Sequence, residues 1–358
     1  MPLQHGQHGQ HGQAADSSGG TSDEALLAAA LMRSRDAISG TEIINPDPGQ
    51  AGGLDLAARL PRLAREYRSA VMMSELLEDL AFIPEADSAS APAAPAIALS
   101  RRAAGDGPDP VPLVRIVAPK VADFSRAAPL VTAYAELRSD RLTEILAQQR
   151  YLIPFFSSIL PLDPVRNPAL AEMLEVGLAL VTPVVMRVKL ALGCPRPNQF
   201  SDRIQPVIPE PAHPTLPSGH ATQAFTLATM LSLLDDLNAP VRPDQQIYRL
   251  ACRVAVNRTV AGVHFPADSA SGAVLGIQLG RYVMARGLGG TVGSAGFDGT
   301  LFHNGAEPRD FHAQILAQMM DGHDPSTRFG DDRTTARPAP LWQALCRRAR
   351  QDWLNRWS

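Results

Sequence analysis

Apolar positions recur at helical spacing along most of this chain, and few segments alternate with period two. Between 123 and 150, Leu130, Tyr134, Leu137, Leu142, Ile145 and Leu146 form one apolar stripe and predict an amphipathic helix. Asn167-Pro168 opens a second helix running to about Leu192, since proline suits a first helical turn. The stretch from Phe200 to Leu216 is proline-rich and has no period. Ser218-Gly219-His220 then starts a helix to about Leu234, and Arg242-Pro243 starts another that carries Arg258 near its end. Pro266 begins a helix over 266–286, and weaker helical patterns follow at 308–320 and 339–356.

Upstream, Thr21 and Glu24 stand at capping-box spacing, and helices are expected at 24–38 and 55–82. Residues 84–112 are rich in Ala, Pro, Ser and Gly and read as a linker or surface loop. Gly287 to Gly299 reads as a flexible connection. The first 20 residues hold the repeats His5-Gly6-Gln7, His8-Gly9-Gln10 and His11-Gly12-Gln13, a low-complexity tail that cannot bury a core. The expected organisation is a tail (1–20), an N-terminal helical segment (21–83), a linker (84–112), a catalytic helical domain (113–290) and a C-terminal extension (291–358). The expected fold class is all-α, a helical bundle with a site where helix ends converge.

Composition narrows the function. With 358 residues, 45% of them hydrophobic and 19% charged, a large core is available. The net charge of −3 gives no reason to expect a nucleic-acid or anionic-membrane partner. Cys194, Cys252 and Cys346 show neither metal spacing nor a disulfide framework. The best membrane-span candidate, 176–192, is interrupted by Pro183, Arg187 and Lys189, and the N-terminus lacks a signal-peptide pattern. These features predict a soluble, cytoplasmic protein acting on small molecules, with its oligomeric state open.

Three short stretches concentrate the chemistry: Lys189-x6-Arg196-Pro197, Pro217-Ser218-Gly219-His220 and Arg258-x5-His264-x3-Asp268. Lysine and arginine neutralise an oxyanion and grip its oxygens through charge-assisted hydrogen bonds. Amides at a helix start add donors and the positive end of a dipole. Of two histidines, one can attack or ligate the central atom while the other moves a proton. Each stretch alone also fits a surface charge, a capped turn or a helix end; their combination points to one oxyanion site.

KLALGCPRP, LPSGH and NRTVAGVHFPAD resemble the three-part signature of the superfamily shared by type 2 phosphatidic acid phosphatases and vanadium-dependent haloperoxidases. One position departs, Asn257 standing where that pattern has serine. The resemblance implies that Lys189, Arg196, Ser218, Gly219, Arg258 and His264 bind vanadate or phosphate. It implies that His264 is the vanadium ligand or the phosphoryl-accepting nucleophile, oriented by Asp268. His220 would handle the proton, and Lys189 would polarise the peroxide substrate of a haloperoxidase.

The preferred expectation is a vanadate-containing haloperoxidase using hydrogen peroxide and halide. The alternatives are a cofactor-free phosphatase forming a phosphohistidine and a non-catalytic oxyanion-binding protein. His213, seven residues before His220, resembles a histidine near the halide site of bromoperoxidases; a plain loop residue before Pro214 is the other reading.

Overall fold

A computed structural model describes residues 20–38, 40, 55–85, 94–105, 110–303 and 307–357. The His-Gly-Gln repeat lies outside them. Four N-terminal elements lead into the main body: helices α1 (Gly20–Ala37), α2 (Leu56–Arg59) and α3 (Arg65–Leu77), then strand β1 (Leu80–Glu85). Strands β2 (Ala96–Arg101) and β3 (Val111–Val117) follow, then helices α4 (Val121–Ala133), α5 (Arg138–Gln148) and α6 (Ile153–Ser157). The site-bearing helices are α7 (Pro168–Leu192), α8 (Gly219–Asp235), α9 (Gln246–Val260) and α10 (Pro266–Leu288). The chain closes with β4 (Thr291–Val292), β5 (Ala295–Asp298), α11 (Gly299–Phe302), α12 (Ala313–Met320), β6 (Thr327–Phe329), β7 (Thr334–Thr335) and α13 (Pro340–Leu354).

The all-α expectation is overturned. A five-stranded mixed sheet runs in the order β1-β2-β3-β5-β6, and β4 pairs with β7 in a second sheet. The fold is therefore a mixture of helix and sheet. The β1-β2, β2-β3 and β5-β6 pairs are antiparallel, whereas β3 and β5 are parallel, with Val114 opposite Ala295. The stretch read as a linker, 84–112, carries β2 and the start of β3. Five of the six β2 residues are buried, so this strand shows no in-out alternation. The expected flexible connection at 287–299 holds β4 and β5.

The stripe expected over 123–150 is also corrected. A 3₁₀ turn at Tyr134–Leu137 divides α4 from α5, and the buried face of α4 is Phe124, Ala127, Ala128 and Val131. Leu137, Leu142 and Leu146 face outward, and only Ile145 of the predicted stripe is fully buried.

The helical core places the site. Helix α8 lies between α10, α9 and α7, and α13 packs on α7 and α10. One cluster of buried apolar side chains extends from Leu60 to Trp353. Close packing of α10 on α8 depends on glycines four residues apart. A methyl group on Gly272 would meet the Ser218 carbonyl oxygen at 2.8 Å, and one on Gly276 would meet the Phe225 Cβ at 2.8 Å. The two helix starts that carry the second and third sequence motifs are thereby held together, with Ser218 N–H donating to the Asp268 carbonyl at 2.9 Å.

Helix α7 belongs to a 32-residue segment long and apolar enough to cross a membrane, with 56% of its most apolar window buried inside the protein. Its inward positions pack on protein throughout, from Leu170 through Val188 to Leu192.

Candidate active site

Each functional side chain is placed by a helix end. Helix α7 stops at Gly193, whose left-handed φ of 60° lets its N–H reach the Lys189 carbonyl. Lys189 is thus fixed in the last turn, and the chain turns back with Arg196 extended. Ser218 caps α8, its hydroxyl oxygen accepting from Ala221 N–H at 3.4 Å. Gly219 follows as the first residue of that helix, where amides lack helical acceptors. Arg258 stands in the last turn of α9. Asp268 stands in the first turn of α10 and accepts the Phe265 N–H at 2.8 Å.

Four of the expected residues, His264, Asp268, Lys189 and Arg196, join in one buried hydrogen-bonded network through Thr215 and Pro214. The His264 Nδ1 lies 3.0 Å from Asp268 Oδ2, which also accepts the Thr215 hydroxyl at 2.5 Å. With Nδ1 committed there, Nε2 is the ring nitrogen available to a ligand. Lys189 Nζ donates to the carbonyls of Pro214 and Thr215 at 2.7 and 2.6 Å. Arg196 donates to the carbonyls of His213 and Val263, and its Nη2 lies 3.0 Å from His213 Nδ1. These two cations therefore tie the 213–215 segment to α7 and to the His264 loop, spending part of their donor capacity on main chain.

Arg258 is differently placed. Its Nη2 donates to the Ile145 carbonyl and to Gln148 Oε1, at 3.2 and 3.0 Å. Its Nε and Nη1 are buried without a partner, as is His220 Nε2. Unpaired buried donors on a permanent cation are costly. An anionic group with several oxygens, such as vanadate or phosphate, would satisfy them, and the donor set fits such a group.

Burial shapes the electrostatics. His220 and His264 are only 6% and 4% exposed. Burial, reinforced by Arg258 and then Lys189 and His213, drives the His220 pKa well below its usual value. Burial together with Arg196, Lys189, His213 and His220 does the same for His264. These mutual influences bring His213, His220, His264, Lys189, Arg196 and Arg258 into one electrostatic neighbourhood. Burial also lowers Lys189, further depressed by Arg196, and holds Arg196 and Arg258 at about 10. Burial raises Asp268 to about 6 against the pull of Thr215 and the Phe265 amide. Beside these groups Cys194 is a buried thiol, pushed up to about 12 by burial.

Two participants were not legible as site residues. Thr215 touches both His264 Nδ1 and Asp268, yet sits in the aperiodic proline-rich stretch. Gln148 belongs to α5 and carries no motif. Asn257, the departure from the signature, donates to Gln148 Oε1 at 3.1 Å and so is integrated.

Residues 171–287 match the sequence profile of the PAP2 superfamily. A vanadium-dependent bromoperoxidase of Ascophyllum nodosum is 34% identical over 90 residues, a stretch covering 18% of this chain and 16% of that enzyme. The matched region contains α8 and α9 complete and nearly all of α7 and α10.

Proposed function

The chain belongs to the PAP2 and vanadium haloperoxidase superfamily through its 171–287 domain, and from that premise we propose that it oxidises halide with hydrogen peroxide. His264 Nε2 would hold vanadate, with Arg258, Arg196, Lys189, Ser218 and the Gly219 amide around its oxygens. When bound, vanadate supplies activation of peroxide toward a two-electron oxidation of halide. Asp268 and Thr215 hold the His264 ring in one orientation. His220 is neutral at physiological pH and can take a proton at Nε2. Burial excludes bulk water and strengthens each charge interaction.

The observation that carries the reading is His213. Its ring contacts Arg196 and lies close enough to both His220 and His264 to depress their proton affinity. A phosphoryl-transfer site needs two histidines, whereas a third at the rim suits recognition of a halide or its oxidised product. The likeness to a bromoperoxidase supports the same choice. The second reading is a phosphatase with His264 as nucleophile, supported by the unpartnered Arg258 and His220 atoms, which suit a phosphoryl group equally well.

The test is a side-by-side assay of the purified chain. Orthovanadate, peroxide and bromide should give bromination of an organic acceptor, with orthophosphate competing for the site. Vigorous hydrolysis of p-nitrophenyl phosphate, inhibited by vanadate, would replace this reading with the phosphatase.

A further inference from the structure

Gln148 lies at the end of α5, outside the matched domain, and is fully buried. Its carboxamide oxygen accepts from Arg258 Nη2 at 3.0 Å and from Asn257 Nδ2 at 3.1 Å. Its Nε2 donates to Glu144 Oε1 at 3.0 Å. One side chain thus anchors two neighbouring residues of α9.

The atoms left over are informative. Arg258 keeps Nε and Nη1 without partners, and His220 keeps Nε2. Gln148 occupies one side of the guanidinium and leaves the other side to a ligand. It is also neutral. The nearest carboxylate, Glu144, is set one hydrogen bond further out, where it pairs with Arg253 at 2.8 Å and stands 4.0 Å from Arg141. A carboxylate in direct contact with Arg258 would discharge the guanidinium that an anion must meet.

We infer that Gln148 is a positioning residue that orients Arg258 without neutralising it, leaving the Nε and Nη1 donors turned to the ligand. This rests on the oxyanion-site reading above and assigns to α5 a part in it.

The experiment titrates inorganic phosphate calorimetrically into the full chain and into Gln148→Glu and Gln148→Met. Gln148→Glu keeps the shape but adds charge, and phosphate affinity should fall at least tenfold. Gln148→Met removes the acceptor without adding charge and should lose less, whatever the order of the two melting temperatures. Gln148→Glu binding phosphate as tightly as the unmodified protein overturns the inference. Independently, ¹⁵N NMR of the unmodified protein should show the Arg258 Nε resonance shift when phosphate is added; an unshifted Arg258 Nε in a protein that binds phosphate overturns the inference even where a variant fails to fold. Failure of the unmodified protein to bind phosphate at all would instead remove the oxyanion reading, and this inference with it.

Discussion

Asp268 Oδ2 sits 3.0 Å from His264 Nδ1 while also accepting the Thr215 hydroxyl and the Phe265 amide. A carboxylate with three donors on one oxygen fixes the plane of the His264 imidazole. His264→Ala removes the ligating or attacking atom and should abolish turnover under either chemistry. Asp268→Asn and Thr215→Val disturb only the support, and each should lower activity by about 10- to 100-fold. Steady-state kinetics on the folded variants decide the point; near-native turnover in His264→Ala removes both catalytic readings.

How much of this arrangement was legible depended on what marks a position locally. Pro168, Ser218 and Pro266 are start signals, and the helices that begin there carry Lys189, His220 and Asp268 close to where the motif spacing requires. The sheet left no comparable trace. Strand β2 (AIALSR) is buried almost throughout, and β5 is four residues long in a glycine-rich stretch. The parallel pairing of β3 with β5 joins Val114 to Ala295 across about half of the chain, and no local pattern encodes a partner so distant. Gln148 and Thr215 escaped for a related reason: their roles arise from contacts between segments far apart in sequence.

Glycine at 276 lets α10 approach α8. A methyl group there would stand 2.8 Å from Phe225 Cβ and closer still to the Thr222 carbonyl. Two helices packed on both sides by other elements cannot separate freely. Gly276→Ala should therefore destabilise the protein by about 1–3 kcal/mol, the usual cost of overpacking. Denaturant unfolding measures it, and an unchanged or raised midpoint would contradict the packing described.

Acid should destabilise the folded chain. His220 and His264 have folded pKa values well below the unfolded one, and His303 is lowered by burial to about 4. Above the unfolded value of about 6.5 all three are neutral in both states, so their contribution is complete there. Below it the unfolded chain takes up protons that the folded chain resists, at about 1.4 kcal/mol per pH unit for each. Asp268 opposes this between about 4 and 6, because its raised pKa lets the folded state bind a proton first. Glu175, also raised by burial, acts with Asp268, so three groups stand against two and set the sign. Melting temperature should fall as pH drops from 6.5 toward 5, and His220→Gln should flatten that slope.

His213 separates the two leading activities. Its Nδ1 lies 3.0 Å from Arg196 Nη2 and 3.1 Å from the Pro214 carbonyl oxygen, so the ring is held between a donor and an acceptor. Under the halide reading, this imidazole meets the halide or the hypohalite leaving the site. Arg196 is also held by the His213 and Pro214 carbonyls and by the Val263 carbonyl, so truncating the imidazole leaves that cation anchored. His213→Ala should thus lower bromide oxidation, with the loss concentrated in the KM for bromide, while vanadate affinity stays within about threefold, or 0.65 kcal/mol, of the unmodified protein. Unchanged bromide kinetics would make His213 a loop residue that merely pairs with Arg196, and the halide reading would lose the observation on which it stands.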